Sequence, residues 1–250
     1  MIDQVTNSVL SVNLDKHARR EVRLLDAAAR LFARFGFAKT SIDEIARAAG
    51  VSKGAVYLHW PSKDNLFEAT LIREGLRLQA DIRTRMNADP AGGTLAGIYR
   101  HSIVALEGNP LLLAALTFDA RVLGDYVRRQ DPSISRQRLV FGEEFVRRMQ
   151  AANLMRADLE PGVTAYIMTV ISFGLLGIRQ YAPDIPAPSF ERLAVALADL
   201  VDRGLATHAN DDDSEAGKQA FRNLTDETTR LYTERAEAAG GSHDRPRSQT

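Results

Sequence analysis

The chain has 250 residues, 45% of them hydrophobic and 26% charged, which is the balance of an ordinary soluble globular protein with room for one large or two modest domains. It contains no cysteine, so disulfides and thiolate-held zinc or iron–sulfur centres are excluded, and a reducing cytoplasm is the simplest compartment. Formal net charge is zero, but residues 16–63 carry ten Lys/Arg against four acids and residues 205–250 carry six against nine, so a basic head is balanced by an acidic remainder.

In chain order, residues 1–15 show no convincing period and no export signal, and a frayed start is expected there. From 16 to 35 apolar residues recur at helical spacing, and Gly36 offers a left-handed stop. Ser41-Ile-Asp-Glu44 reads as a capping box opening a short helix with Ile42, Ile45 and Ala49 on its inner face. Gly50 closes that helix, and Ser52 caps another over about 53–59. Pro61-Ser62 then starts a long helix reaching about residue 88. This is a helix-turn-helix within 16–66, and its second helix has a small, polar and basic face suited to the DNA major groove.

Beyond the break at Asp89-Pro-Ala-Gly-Gly93, helices are expected near 94–107, 110–129, 134–153, 161–181 and 188–208. No run alternates long enough to make a strand, so the fold class is all-α: a helix-turn-helix head followed by a helical body over 67–208. The acidic stretch from 209 to 250 is expected to hold a weak helix near 215–238, with Phe221, Leu224, Thr228 and Leu231 on one side, and a disordered end after Gly240.

Close approach to base edges favours Gly54 and Ala55 near the start of the second helix, and a methyl there can meet a thymine methyl. Lys53 at the tip reaches a guanine or a phosphate. Tyr57 and His59 carry donors for phosphate oxygens. Lys63 lies at a helix start, where free backbone N–H groups already favour a phosphate. Several residues have a plainer alternative: Ser41 as a helix cap alone, Gly54 as a turn residue, Tyr57 as packing, Lys53 and Lys63 as solvated charges. Val56 and Leu58 are expected to face inward, and the exposed acid Asp43 is expected to repel phosphate, so few base contacts are expected from the first helix of the motif.

Four segments together resemble the TetR family of bacterial transcriptional regulators: a helix ending Phe-Gly-Phe, then T-S-I-D-E-I-A, then A-G-V-S-K-G-A-V-Y-L-H-W, then P-S-K-D-N-L. The resemblance is close over about 22–70 and elsewhere extends only to an all-helical domain of suitable length. It implies phosphate clamping at Ser41, Tyr57, His59 and Lys63, and groove contact at Ser52, Lys53, Gly54 and Ala55. It implies a homodimer whose last core helices, here 161–181 and 188–206, form a four-helix bundle, and a repressor released from palindromic double-stranded DNA by a small-molecule effector of unknown identity. The alternative is an all-helical interaction or small-molecule binding protein without DNA function.

Other signals are weaker. Gly50-Val-Ser-Lys-Gly54 spells the hydrolase nucleophile elbow, but a helix rather than a strand leads into it, and no enzyme activity is expected. The five histidines lack metal-ligand spacing, and no cofactor or metal is expected. Residues 161–178 carry no charge and touch the lower length limit of a membrane span; their glycines, hydroxyls and leading proline favour a buried or dimer-interface helix, and no membrane partner is expected. Tyr99, His101, Phe118, Tyr126, Phe141, Phe145, Tyr166 and Phe173 are candidates for an effector cavity or for plain core.

Overall fold

The computed structural model describes the backbone of residues 2–126, 132–182, 184–186, 188–207 and 213–240, and the side chains of 19–126, 141–178, 182, 184–186, 188–207 and 214–231. Among these, every regular element is a helix, and β pairing is limited to one antiparallel bridge between Met155 and Ala206. The expected disordered end after Gly240 lies outside the described residues. Helix α1 (Ile2–Lys39) has helical backbone back to Ile2, where a loose start was expected; the side chains of its first turns lie outside the described set.

Gly36 interrupts α1 with a φ of 80°, and a Cβ there would meet the carbonyl oxygen of Arg121 at 2.5 Å, so the position demands both a positive φ and a bare backbone. Helix α2 (Ile42–Ala49) ends on Gly50, whose φ of 68° and ψ of 39° make a left-handed cap. Helix α3 (Lys53–Tyr57) is shorter than expected. Its end is set by Trp60, which turns into the core while the following Pro61 disfavours a helical backbone at Trp60. Ser62 then caps α4 (Lys63–Ala88) by accepting the Asn65 N–H.

Thr94 caps α5 (Leu95–Glu107). The single helix expected over 110–129 is instead two short ones, α6 (Pro110–Leu116) and α7 (Ala120–Leu123). Between them Phe118 takes a φ of 51°, Asp119 caps α7 by accepting the Arg121 N–H at 2.9 Å, and Gly124 stops it. The chain continues through α8 (Pro132–Ala151), α9 (Pro161–Tyr181), α10 (Phe190–Leu205) and α11 (Asp213–Gly240).

Two apolar cores result, and α4 serves both. The first gathers Leu24, Phe32 and Phe37 of α1, Ile42 and Ile45 of α2, Val56, Trp60, and Leu66 and Phe67 of α4, with Leu111, Ala115 and Leu123 closing it from α6 and α7. The Phe67 ring meets Phe32 at 4.7 Å, Phe37 at 5.0 Å and Tyr126 at 4.6 Å, in the edge-to-face arrangement favoured by aromatic quadrupoles. The second joins Ile82 and Met86 of α4 to Ile98 of α5, Val146 and Met149 of α8, Met168 of α9, and Leu197 of α10. Phe221 and Leu224 of α11 belong to this second core, so the acidic C-terminal stretch includes part of the body.

Between the cores, α4 carries a buried polar joint. Glu74, 8% exposed, accepts from Arg73 at 2.5 Å and from the Asn109 amide at 2.9 Å, and Arg73 also donates to Asp26 of α1 at 2.6 Å. Helix α11 runs antiparallel to α4, with Arg222 facing Asn87, Asp226 paired with Arg83, and Thr229 bonded to Gln79.

Candidate nucleic-acid interface

The first helix of the motif is anchored by its own cap. The Ser41 hydroxyl accepts the Glu44 N–H at 3.2 Å, and the Glu44 carboxylate accepts the Ser41 N–H and hydroxyl at 2.8 Å each. These bonds, the backbone one foremost, hold the Glu44 carboxyl below the usual carboxylate range. Ser41 is therefore a cap in this structure, and it is also exposed. Arg23 of α1 donates to the Ala49 carbonyl at 3.4 Å, tying α1 to the end of α2.

The second helix presents most of the expected groove residues outward. Ser52, Lys53, Gly54 and Tyr57 are exposed and Ala55 is half-buried, while Val56 is fully buried in the head core. Ser52 caps the helix, its hydroxyl accepting the Ala55 N–H at 3.2 Å. The expectation for Leu58 was inward packing, yet it is 76% exposed. The reason is register: Leu58 follows Gly54 by four residues and Ala55 by three, so it shares their open face. Helical spacing held the signal that finds it.

Lys53 donates to Asp43 across the two helices at 2.8 Å, and this hydrogen bond raises the lysine above its ordinary pKa. His59 is half-buried, its ring 5.3 Å from that of Trp60. Lys63 is half-buried too: its ammonium donates to the carbonyls of Phe37 at 2.9 Å and Thr40 at 3.2 Å and lies 4.3 Å from the centre of the Phe37 ring. It thus braces the α1–α2 turn against the start of α4. Of the eight expected residues, Ser41, Ser52, Lys53, Gly54 and Tyr57 are exposed, and Ala55, His59 and Lys63 are half-buried.

The aromatic candidates for an effector cavity are not gathered in one place. Tyr126 belongs to the head's ring cluster, His101 pairs with Asp89 at 2.8 Å in the α4–α5 turn, and Phe118, Phe141, Tyr166 and Phe173 are exposed. Tyr99 and Phe145 meet in the body at 6.2 Å. The Tyr99 hydroxyl donates to the Met168 thioether at 3.3 Å, and burial pushes its phenol well up.

Helix α9 turns one side to α8 and leaves the other uncovered. Val163, Tyr166, Ile167, Val170, Ile171 and Ile178 are exposed at a helical spacing, and Val195 and Leu200 are exposed on α10. Residues 161–178 are long and apolar enough to cross a membrane by length and composition, and only 22% of that stretch is buried within the chain. A contiguous apolar face of this kind marks an interaction surface.

Comparison with known proteins agrees with this geometry. The family model for bacterial regulatory proteins of the tetR family matches residues 24–70. An HTH-type transcriptional repressor of Mycobacterium tuberculosis is 31% identical over 201 residues, covering 78% of this chain and 97% of the relative. The HTH-type transcriptional regulator AcrR of Shigella flexneri is 29% identical over 195 residues, covering 73% and 90%. The solved structure of the fatty acid degradation regulator FadR from Bacillus halodurans, 17% identical, shares the fold with a TM-score of 0.57 over 74% of this chain and 95% of its own. With a helix-turn-helix that presents a short exposed helix and a repressor matched along nearly its whole length, the chain belongs to the TetR family of DNA-binding transcriptional regulators.

Proposed function

We propose that the protein is a homodimeric, cytoplasmic repressor that leaves a palindromic operator when a small molecule binds its helical body. The observation that carries the DNA-binding part is the outward face of α3, where Lys53, Gly54, Tyr57 and Leu58 are exposed and Ala55 half-exposed while Val56 and Trp60 enter the head core. In this reading 16–66 is the DNA-reading unit, its core closed by α6 and α7, and 67–208 the sensing and dimerising body, with α11 packed on it. Ser52, Lys53, Gly54 and Ala55 enter the major groove, and Ser41, Tyr57, His59 and Lys63 meet phosphates on either side of it.

Two copies are needed because a helix-turn-helix dimer sets its recognition helices about 34–36 Å apart, one turn of duplex. The uncovered apolar face of α9, with Val195 and Leu200 of α10, supports a second copy as its occupant. The effector acts by favouring a body whose heads stand at another separation, and a coupling of about 1–3 kcal/mol changes DNA affinity roughly 5–150-fold. Helix α4 transmits the change, since it contributes Leu66 and Phe67 to the head core and Ile82 and Met86 to the body core.

The test is a gel shift of the full chain against the DNA upstream of its own gene, with an unrelated duplex as competitor. A retained, palindrome-dependent complex is the expected result. Equal retention of both duplexes, or of neither, overturns the reading.

A further inference from the structure

Lys53 and Asp43 form a pair where the two helices of the motif meet. Lys53 is the first residue of α3 and Asp43 the second of α2, and Nζ lies 2.8 Å from Oδ2. Both side chains remain about half exposed, at 52% and 55%, so a duplex can reach them without breaking the pair. The neighbouring acid, Glu44, is occupied with the Ser41 cap, leaving Asp43 as the carboxylate that faces α3.

Such a couple presents adjacent complementary chemistry. The ammonium has three N–H donors, one of them directed to Asp43, and the carboxylate has acceptor capacity beyond that bond. In the major groove a G·C pair shows the O6 and N7 acceptors of guanine beside the N4 donor of cytosine. A cation compensated by its own carboxylate adds little general attraction for phosphates, whereas the neutral acceptors of a guanine edge need direction more than net charge. Holding the long lysine stem in one place also lowers the ordering cost of reading.

We propose that Asp43 positions Lys53 and that the couple together reads one G·C pair in each operator half-site, with Lys53 on guanine and Asp43 accepting from cytosine. This rests on the reading that α3 lies in the major groove. Asp43 thus discriminates against other base pairs as well as holding the lysine.

The test selects duplexes from a random pool with the full chain, then with Asp43→Ala, Lys53→Met and the double variant, each first checked for an unchanged thermal unfolding curve. The unmodified chain is expected to select a G·C pair at one symmetric position that both single variants lose. Discrimination against an A·T pair there should fall about tenfold in either variant, with no further fall in the double. Asp43→Ala should also bind unrelated duplex more tightly, with a salt dependence steeper by about one counterion, and Lys53→Met should cancel that gain. If Asp43→Ala selects the same sequence as the unmodified chain, or changes affinity equally for every sequence, the pairing role is overturned while the groove reading stands. If the unmodified chain selects no sequence at all, both are overturned.

Discussion

The Lys63 ammonium sits 2.9 Å from the carbonyl oxygen of Phe37 and 4.3 Å from the centre of its ring, so one side chain joins the start of α4 to the end of α1. A charged donor on backbone carbonyls, supplemented by an aromatic face, contributes to the rigidity of the head as well as to its charge. Lys63→Met keeps the stem and removes the cation. Urea unfolding should show a loss of about 1–2 kcal/mol, and binding to all duplexes should weaken alike with a flatter salt dependence. Weaker binding with an unaltered salt slope would leave Lys63 as a brace alone.

Ala55 and Leu58 share the open face of α3, and their substitution separates docking from folding. Ala55→Glu places a bulky negative charge where the duplex backbone and base edges approach, and operator binding should be lost while the thermal midpoint and oligomeric state stay put. Leu58→Ala should change stability by less than about 0.5 kcal/mol, because the side chain is already in water. Its operator affinity should nonetheless fall several-fold through lost apolar contact at the groove. Full operator affinity in Ala55→Glu would remove α3 from the groove.

The joint between the cores should be sensitive to acid. Burial acts to raise Asp26, but the hydrogen bonds and charges of Arg77 and Arg73 outweigh it and hold the carboxyl below its ordinary value of 3.8. A depressed folded value means that this contribution is fully present above the unfolded pKa and is lost as pH falls through the folded one. Arg73→Met should therefore lower stability at neutral pH and make its fall on acidification shallower, because the Asp26 carboxyl then titrates more nearly alike in the folded and unfolded chain, as urea titrations across the acid range would show. Glu74→Leu leaves the half-buried Arg73 with Asp26 and the Val22 carbonyl as partners and should cost less than the roughly 3–5 kcal/mol of a fully orphaned buried charge. Identical acid profiles for the unmodified chain and Arg73→Met would show that the pair does not couple to folding.

The apolar face of α9 should govern assembly. Val170→Glu puts a carboxylate in the centre of that face without touching either core, so sedimentation should give monomers in place of dimers and operator affinity should collapse with them. A dimer that persists in this variant would locate the subunit contact elsewhere.

Much of this was legible in the chain because short-range rules settle it. Ser41, Gly50, Ser52 and Ser62 specify the ends of α2, α3 and α4 through caps and a left-handed turn, and these fix the motif. Helix α3 ends two residues before the expected 59 because its end depends on Trp60 reaching a core built from distant helices. The split between α6 and α7 escaped because local apolar spacing runs through Phe118, while the break comes from its positive φ and the Asp119 cap. Lys63 looked like a free cation because its partners are main-chain carbonyls 23 and 26 residues away, which no side-chain pattern reveals. The effector candidates dispersed because aromaticity alone does not say which core a ring joins.

The C-terminal helix has a consequence for biosynthesis. The head core is assembled from residues between Leu24 and Tyr126, whereas the body core is incomplete without Phe221 and Leu224. At a translation rate of about 5–20 residues per second, the head can close roughly 5–20 s before those two side chains leave the ribosome. During that interval the nascent chain carries a finished DNA-reading unit and a body core whose α11 layer is missing. Arrest of translation between residues 181 and 221 should therefore yield chains that a chaperone retains and a full-length product does not.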